Sequence, residues 1–480
     1  FFSSEGGSPN PSNMLTPSSI INQGEHDGKH DLTLNLHGHD LKVNHLSRIQ
    51  TMSQVTSTNI WAMYPGTITI NDPGFLDLTC NADYYYAGSI AAGSRFIQGD
   101  HFGVVINNDN TWDHRVRIRG TVYGKHNGSE ENYDPSFLVN ASGMKTFHNG
   151  LIDIKGLVDI EINNAWSVSS SGGKIKLGGG HIKSDYYTAV DAYGGHVYIN
   201  VDESGNPGGN PVDITGNLQT YGAWVGSDVP GYIDVALTTP ESFFFGRAQT
   251  TQGTKFVGDV KLWLQNGAIW TNRDGGFRYG WVPVYDMNAL SRVMELHGGS
   301  DEKHRGVLKM PYATTKFVDR ENNEHTWSGA SPLLIHNYSG HILALYERSA
   351  NDPTEVTGGT ITIEKAAADS FITLRTDNTG LNTSSEDPED KNLVSETLNA
   401  LANKLYYTDY KNGGRNLTGK VEIAEGLTAS AAGLRIGDIT YKDADGQGQY
   451  LYTPETPGSQ TIQAYEEGIT GNETKDQVYV

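Results

Sequence analysis

Cysteine is nearly absent from this sequence, which has a single one, Cys80, among 480 residues. One cysteine cannot close a disulfide within the chain, so the fold must be stable through its packed core alone. Cys80 follows Leu76 and Leu78 at alternating positions. That spacing favours a small buried side chain over a reactive thiol.

Long apolar segments and an excess of positive charge are also missing. No run approaches the roughly 20 apolar residues of a membrane-spanning helix, so we expect no membrane insertion by this segment. Lys and Arg number 35 against 56 Asp and Glu, which gives a formal charge of −21. Such a charge repels nucleic acid and anionic membranes at long range, and we expect neither as a partner.

Glycine and short alternating strands are abundant instead. The 57 glycines have no G-X-Y period, which excludes collagen and favours a structure with many turns. From Asp31 onward, apolar residues recur at every second position in short runs bounded by Gly or Asn. This is the pattern of strands that have one face in water.

The spacing of these strands indicates a solenoid. Ile154, Leu177 and Ile199 follow one another at intervals of 23 and 22 residues, which fits one coil of two or three short strands and their turns. The pattern runs from 31 to 385 without a domain break, which favours stacking in one direction over a β-sandwich. We therefore predict an all-β parallel solenoid in which these three residues form one inward stack. Asp153 is then predicted to face outward, so that Asp153→Asn is nearly silent.

One segment has helical periodicity. Asp387 is suited to an N-cap and Pro388 to the first helical position. Apolar residues then follow at i, i+4, i+7 and i+11, at Val394, Leu398, Leu401 and Leu405. We predict an amphipathic α-helix that covers a flank or open end of the solenoid. The predicted organisation is a polar lead-in or cap at 1–30, the solenoid at 31–385, the helix at 386–412 and a strand-rich extension at 413–480.

Four segments stand in an order that is typical of a known family: VKLWLQNGAIW at 260–270, SRVMELHGG at 291–299, LLIHNYSGHILALYE at 333–347 and SFITLRTDNTG at 370–380. With them, residues 259–380 resemble the C-terminal stabilising region of pertactin-like autotransporter passengers, a family that includes self-associating adhesins. The resemblance implies a right-handed parallel β-helix and type V secretion to the bacterial outer membrane. It also implies anchoring by a downstream translocator barrel, which we do not expect within these 480 residues.

The sequence offers little for catalysis. It lacks G-x-S-x-G or a comparable serine context for a triad. β-Helical polysaccharide lyases and glycoside hydrolases need paired carboxylates, and Asp185 with Asp191 in SDYYTAVDAYGG is the best such pair. Solvated turn residues are the favoured interpretation of both. We expect no enzyme and no catalytic residue.

Histidines cluster near the start of the chain, at His26, His30, His37, His39 and His45. Gly38 between two of them indicates a turn, and surface histidines are favoured over a zinc or nickel site. KDADGQG at 442–448 lacks the third acid and the terminal Glu of a calcium loop. We expect no metal site and no cofactor.

Two kinds of side chain are suited to contacts with a partner. Tyrosine clusters can stack on sugar rings or on a protein surface, at Tyr84, Tyr85, Tyr86, Tyr186 and Tyr187. A polar run offers donors and acceptors for weak multivalent contacts, at Asn107, Asn108, Asp109 and Asn110.

These features favour a bacterial cell-surface adhesin whose outer solenoid face mediates cell–cell aggregation, surface attachment or biofilm formation. The expected partners are the same chain on neighbouring cells, or glycans or proteins of host and bacterial surfaces. Two alternatives stay open. One is a β-helical polysaccharide lyase or glycoside hydrolase, and the other is a structural stalk that carries a binding tip elsewhere.

Overall fold

The structure is a computed structural model. It describes residues 18–22, 29–47, 58–82, 88–93, 101–121, 125–126, 129–133, 142–147, 149–163, 165–221, 230–250, 258–273, 290–318, 324–349, 351–352, 354–382, 387–409, 416–423, 440–442 and 448–450. The chain divides into two compact units, residues 1–261 with 275–284 and residues 262–274 with 285–480. Both are built mainly of strands that pair in parallel with strands further along the chain, which confirms the all-β class and is consistent with a β-solenoid.

The first unit contains three parallel ladders, to which the chain returns in the order A, B, C. Ladder A contains Ser18–Ile21, Thr58–Ala62, Gly88–Ala92, Ser142–Phe147, Trp166–Ser171, the last part of Lys174–Tyr193, the last part of Val212–Tyr221, and Ala248–Thr250. Ladder B contains Leu32–Asn35, Gly66–Asn71, Phe102–Asn107, the first parts of Gly150–Asn163 and Lys174–Tyr193, His196–Ile199, and Tyr232–Leu237. Ladder C contains Leu41–Ser47, Leu76–Ala82, Val116–Thr121, the last part of Gly150–Asn163, the middle of Lys174–Tyr193, the first part of Val212–Tyr221, and Phe243–Phe245. An antiparallel pair, Lys125–His126 with Ser129–Tyr133, lies outside the ladders.

The core of the first unit is a set of aliphatic stacks that follow the ladders. In ladder B, Ile154 is in register with Leu177, and Leu177 with Ile199, so the predicted inward stack is confirmed. These residues are buried because alternate side chains of a strand point to the same side, and here that side is the interior. Ile106 precedes Ile154 in the same stack.

The corner between ladders B and C needs unusual backbone conformations. His37, Asp72 and Asn200 each occupy it with positive φ, at 51°, 47° and 56°. Asn and Asp enter this region at lower cost than other residues with a Cβ. At the same corner, a Cβ on Gly156 would lie 1.8 Å from the backbone oxygen of Asp109, so only glycine fits there.

The second unit has two parallel ladders and additional elements. One ladder contains Ser291–His297, Leu333–Ser339, Ile361–Ala366 and Leu405–Tyr407. The other contains Ile269–Thr271, Gly306–Lys309, His341–Leu345, Ser370–Thr376 and Leu417–Ile423. Strand Asp259–Leu264 runs from the residues of the first unit into those of the second. Two antiparallel pairs complete the strands, Ala313–Val318 with Glu324–Gly329 and Thr440–Lys442 with Gly448–Tyr450.

The α-helix spans Pro388–Ala402. Asp387 caps it by accepting a hydrogen bond from the backbone N–H of Glu389 at 2.8 Å. The helix is shorter than the predicted 386–412, since Leu405 pairs with Ile361 in a strand. Among the described residues, no helix has the length and apolar character to cross a membrane.

Candidate interaction surface

The outer face of ladder C carries charges that alternate in sign from rung to rung. Register places six residues in one line, which we call the charged row: Lys42, Asp77, Arg117, Asp159, His181 and Asp213. Buried apolar residues flank them in sequence, as Leu76 and Leu78 flank Asp77, so the row lies on the outer face. Neighbouring strands lie about 4.8 Å apart, so six rungs extend over roughly 24 Å.

Ion pairs link neighbouring members of the charged row at both of its ends. Arg117 binds Asp77 with two hydrogen bonds, Nε to Oδ1 at 3.0 Å and Nη2 to Oδ2 at 2.8 Å. Lys42 Nζ lies 3.5 Å from the same Asp77 carboxylate. His181 Nδ1 lies 2.8 Å from Asp213 Oδ2. Lys42 and Arg117 are more exposed than the acid between them, since their side chains are 67% and 33% exposed and that of Asp77 only 5%.

Cations beside the row complete the network. Arg119 donates to the Asp159 carboxylate at 2.7 Å. Lys183 donates to Glu161 at 2.7 Å, and this hydrogen bond lowers the pKa of Glu161. These paired charges hold each other in defined positions, which a partner surface can match.

The protonation of His181 decides how far the alternation extends. Its hydrogen bond to Asp213 raises the pKa of His181, although burial acts in the opposite direction. The protonated form is thus favoured more than in a free imidazole. When His181 is charged, the row alternates in sign over all six positions.

The outer face of ladder B is different, because its first three strands carry a line of three hydrogen-bonded, uncharged asparagines. Asn71 Nδ2 donates to Asn35 Oδ1 at 2.8 Å, and Asn107 Nδ2 donates to Asn71 Oδ1 at 2.7 Å. Asn107, one of the predicted binding residues, is exposed at the end of this line. Its side-chain amide is therefore held in place by Asn71.

The structure corrects the prediction that Asp153→Asn is nearly silent. It faces outward, but it is only 7% exposed. Lys155 Nζ and Lys176 Nζ lie 2.6 and 3.1 Å from its Oδ2. Two long lysine side chains that converge on one short carboxylate cover it, so an outward direction does not mean exposure here.

The other predicted polar residues have unequal roles. Asn108 is buried, and its Nδ2 donates to the backbone oxygens of Leu157 and His114 at 3.1 and 3.2 Å, while its Oδ1 accepts from Gly156 at 2.9 Å. Its side chain thus anchors its own loop. Asp109 and Asn110 are exposed in that loop.

The side chains of the predicted tyrosine clusters are not among those that the structure describes. Tyr84, Tyr85 and Tyr86 lie outside the described residues. The backbone of Tyr186 and Tyr187 belongs to strand Lys174–Tyr193, but their side chains are not among those described. Their predicted role as contacts stays a prediction.

Of the two candidate catalytic carboxylates, Asp185 and Asp191, the structure describes the side chain of Asp191 only. Asp191 is not a solvated turn residue, because it lies in ladder A and is only 1% exposed. Burial raises the pKa of Asp191 to about 7, against the opposing effects of Lys145 and of a 3.2 Å hydrogen bond from Ser169 Oγ. Both faces of ladder A are buried at this rung, since Ser169 and Val190 are fully buried as well. The side chain of Asp185 lies outside the described residues.

The histidines near the start of the chain are candidate metal ligands. His37 and His39 are exposed, whereas His26 and the side chain of His45 lie outside the described residues. In the part of the chain that the structure describes, no group of three or more His, Cys, Asp or Glu could hold a metal ion. Cys80 is buried, and burial raises the pKa of its thiol to about 12.

Sequence reasoning did not find the charged row. The signal is present, because a charged residue stands between apolar ones in each strand, but only the register shows that these charges form one line. Comparison of the chain with protein-family models, with curated proteins and with solved structures finds no match.

Proposed function

We propose that this chain is a bacterial surface adhesin that binds a second copy of itself through the charged row. The observation that carries the proposal is the order of signs along the row, which is inverted when the row is read backwards. A row of this kind complements itself in an antiparallel arrangement. Around a two-fold axis, Lys42 of each copy faces Asp213 of the other, and Arg117 faces Asp159.

The remaining pair requires a protonated imidazole, because His181 faces Asp77 of the other copy. Each exposed ion pair contributes only about 0.2 to 1 kcal/mol, so one pair of rows gives weak affinity. Many copies on a surface add their contacts, which makes the binding of two cells strong although each contact is reversible. Chains anchored at the same end on facing cells meet antiparallel, which is the orientation that the row requires.

We further propose that the solenoid is a right-handed β-helix and that the chain is an autotransporter passenger exported to the cell surface. The resemblance of residues 259–380 to the stabilising region of such passengers supports this part. A polysaccharide-degrading enzyme is less favoured, because the carboxyl group of Asp191 is buried and an extended polysaccharide needs an open one.

Two charge reversals at the ends of the row test self-association. Cells or beads are coated with Lys42→Glu or Asp213→Lys chains, and clumping is followed by settling rate. Each variant alone places like charges opposite each other twice in the antiparallel pair, so each should clump more weakly than the unaltered chain. A mixture of the two variants places opposite charges at both ends and should clump more strongly than either alone.

The controls separate this effect from net charge. Asp213→Lys makes the chain less negative, so general repulsion alone would increase clumping, whereas the charged row predicts a decrease. Lys309→Glu and Glu347→Lys make the same charge changes at exposed positions of the second unit and should leave clumping unchanged. Equal clumping of the mixture and of the separate variants would exclude the antiparallel row. Weaker clumping of Lys309→Glu together with stronger clumping of Glu347→Lys would point to net charge instead.

A further inference from the structure

The loop Asn108–Arg115, between strands Phe102–Asn107 and Val116–Thr121, presents a tryptophan to solvent. Trp112 is 46% exposed. The other tryptophans whose side chains are described are buried: Trp61, Trp166, Trp263 and Trp270. A single exposed aromatic residue is common on protein surfaces, so exposure alone does not define a site.

The loop holds Trp112 in place. At its start, the Asn108 side chain forms two hydrogen bonds with backbone groups of the next coil and one with the backbone oxygen of His114 in its own loop. Asp109 Oδ1 accepts from the backbone N–H and the hydroxyl of Thr111 at 2.9 and 2.6 Å, and its Oδ2 lies 2.8 Å from His114 Nδ1. A contact residue on a rigid support loses little conformational entropy on binding.

Arg115 supports the tryptophan from one side. Its Nη1 donates to the backbone oxygen of Trp112 at 2.5 Å, and its guanidinium carbon lies 5.9 Å from the centroid of the Trp112 ring. The same carbon lies 4.7 Å from the centroid of the Phe75 ring. The guanidinium thus interacts with both rings, which fixes the position of the indole relative to ladder C.

Hydrogen-bonding groups that are still free accompany the exposed ring. Asn110 Oδ1 accepts from Asn210 Nδ2 at 3.0 Å, while its own Nδ2 has no acceptor among the described residues. Asp109 is half-exposed in its side chain and remains an acceptor. The hydrogen bonds from Thr111 lower the pKa of Asp109, which keeps the carboxylate ionised.

We propose that Trp112 is the stacking platform of a binding site for neutral pyranose sugars, with Asp109 and Asn110 as hydrogen-bond partners of the sugar hydroxyls. A pyranose has a C–H face that packs on an aromatic ring and an edge of hydroxyls that donate to a carboxylate and accept from an amide. The site combines these two features in one short loop.

Charge excludes the other ligands that prefer tryptophan. A cationic ligand over the indole would meet Arg115, which already interacts with that ring. An acidic sugar would meet Asp109 and the exposed Asp113 on a chain of formal charge −21. A neutral sugar avoids both repulsions. This site goes beyond the proposed self-association, because it needs neither the charged row nor a second copy.

A glycan array tests the site. Beads coated with the full chain are applied to printed neutral oligosaccharides of glucose, mannose, galactose and N-acetylglucosamine, with sialylated and uronic acid oligosaccharides and choline on the same slide. We expect retention on one or more neutral sugars. Trp112→Ala should weaken binding to those sugars by about tenfold, and Trp112→Phe, which keeps an aromatic face, should weaken it less.

Tyr312→Ala is the matched control, since Tyr312 is an exposed aromatic residue of the second unit, 51% exposed. It should bind the sugars as the unaltered chain does, and Lys42→Glu should do so as well, which separates this site from self-association. Far-UV circular dichroism checks that each variant is folded. The proposal is overturned if no neutral sugar is retained, if the acidic sugars or choline are retained instead, or if Trp112→Ala binds as well as Tyr312→Ala.

Discussion

Two adjacent residues allow the contributions of the inward stack and of the outer ion pairs of ladder B to stability to be compared: Ile154 in the stack and Asp153 in the ion pairs. Ile154 is 1% exposed and lies between Ile106 and Leu177 on neighbouring rungs. Ile154→Ala removes three carbon atoms from a stack that is closed on both sides. Substitutions of this kind cost about 2 to 5 kcal/mol, and the upper part of that range applies where neighbours cannot collapse into the cavity.

Asp153→Asn changes no packing volume but removes a charge that two lysines share. A hydrogen bond to a charged group contributes about 1.5 to 3 kcal/mol in a buried setting. The Lys155 side chain is half-exposed and that of Lys176 is 24% exposed, so solvent screens part of the interaction. We therefore expect a loss of about 1 to 2 kcal/mol, clearly below that of Ile154→Ala. Asp113→Asn is the control, because Asp113 is exposed, and it should stay within about 0.5 kcal/mol.

Urea unfolding followed by circular dichroism, with hydrogen exchange of strand Lys174–Tyr193, measures these differences. Exchange is needed because each coil of a solenoid contacts only its neighbours, so the chain can open locally before it unfolds as a whole. If Ile154→Ala lowered the free energy of unfolding by less than about 1 kcal/mol, the inward stack would be refuted. If Asp153→Asn lowered the free energy of unfolding no more than Asp113→Asn, the stabilising role of the ion pairs would be refuted. If Asp153→Asn lowered it as much as Ile154→Ala, the register would be displaced by one residue.

Two further outcomes follow from charge. Clumping should strengthen as salt rises from about 0.01 to 0.15 M, because the Debye length falls from about 30 to 8 Å and the general repulsion between chains is screened. It should weaken towards 1 M, because at a Debye length of about 3 Å the attraction between the rows is screened as well. A steady rise in settling rate up to 1 M would contradict binding through the charged row. Stability should fall as pH rises from about 4 to about 7, because burial raises the pKa of Asp191 from 3.8 to about 7 and the unfolded chain releases this proton first. Asp191→Asn should flatten that part of a urea-midpoint profile, and an unchanged profile would mean that Asp191 does not titrate in this range.

The sequence predicted the core of the first unit better than its surface. The stack of Ile154, Leu177 and Ile199 could be found because the alternation along a strand and the length of a coil both appear as spacings. The burial of Asp153 could not, because it depends on Lys176, which only the register places on the next rung.

Ladder A explains why the sequence predicts a solvated turn at Asp191, which is wrong. Its strands have small and polar residues where the other ladders alternate, and Ser167, Ser169 and Ser170 are all fully buried. A strand that is buried on both faces with such residues has no alternation to detect, so a turn was the natural interpretation. The predicted helix is too long for a similar reason, since Leu405 continues the helical spacing but lies in a strand.

The corner between ladders B and C holds segments of very different length in successive coils. Gly178 alone joins the two ladders in one coil, and residues 200–211 join them in the next. Both leave the aliphatic stacks in register on either side. The corner is therefore a permissive site for engineering, where a foreign peptide can be inserted in place of residues 202–206 and displayed at a defined height along the solenoid. Because surface loops tolerate insertions while the ladders carry the stability, such a graft should keep the thermal stability of the unaltered chain.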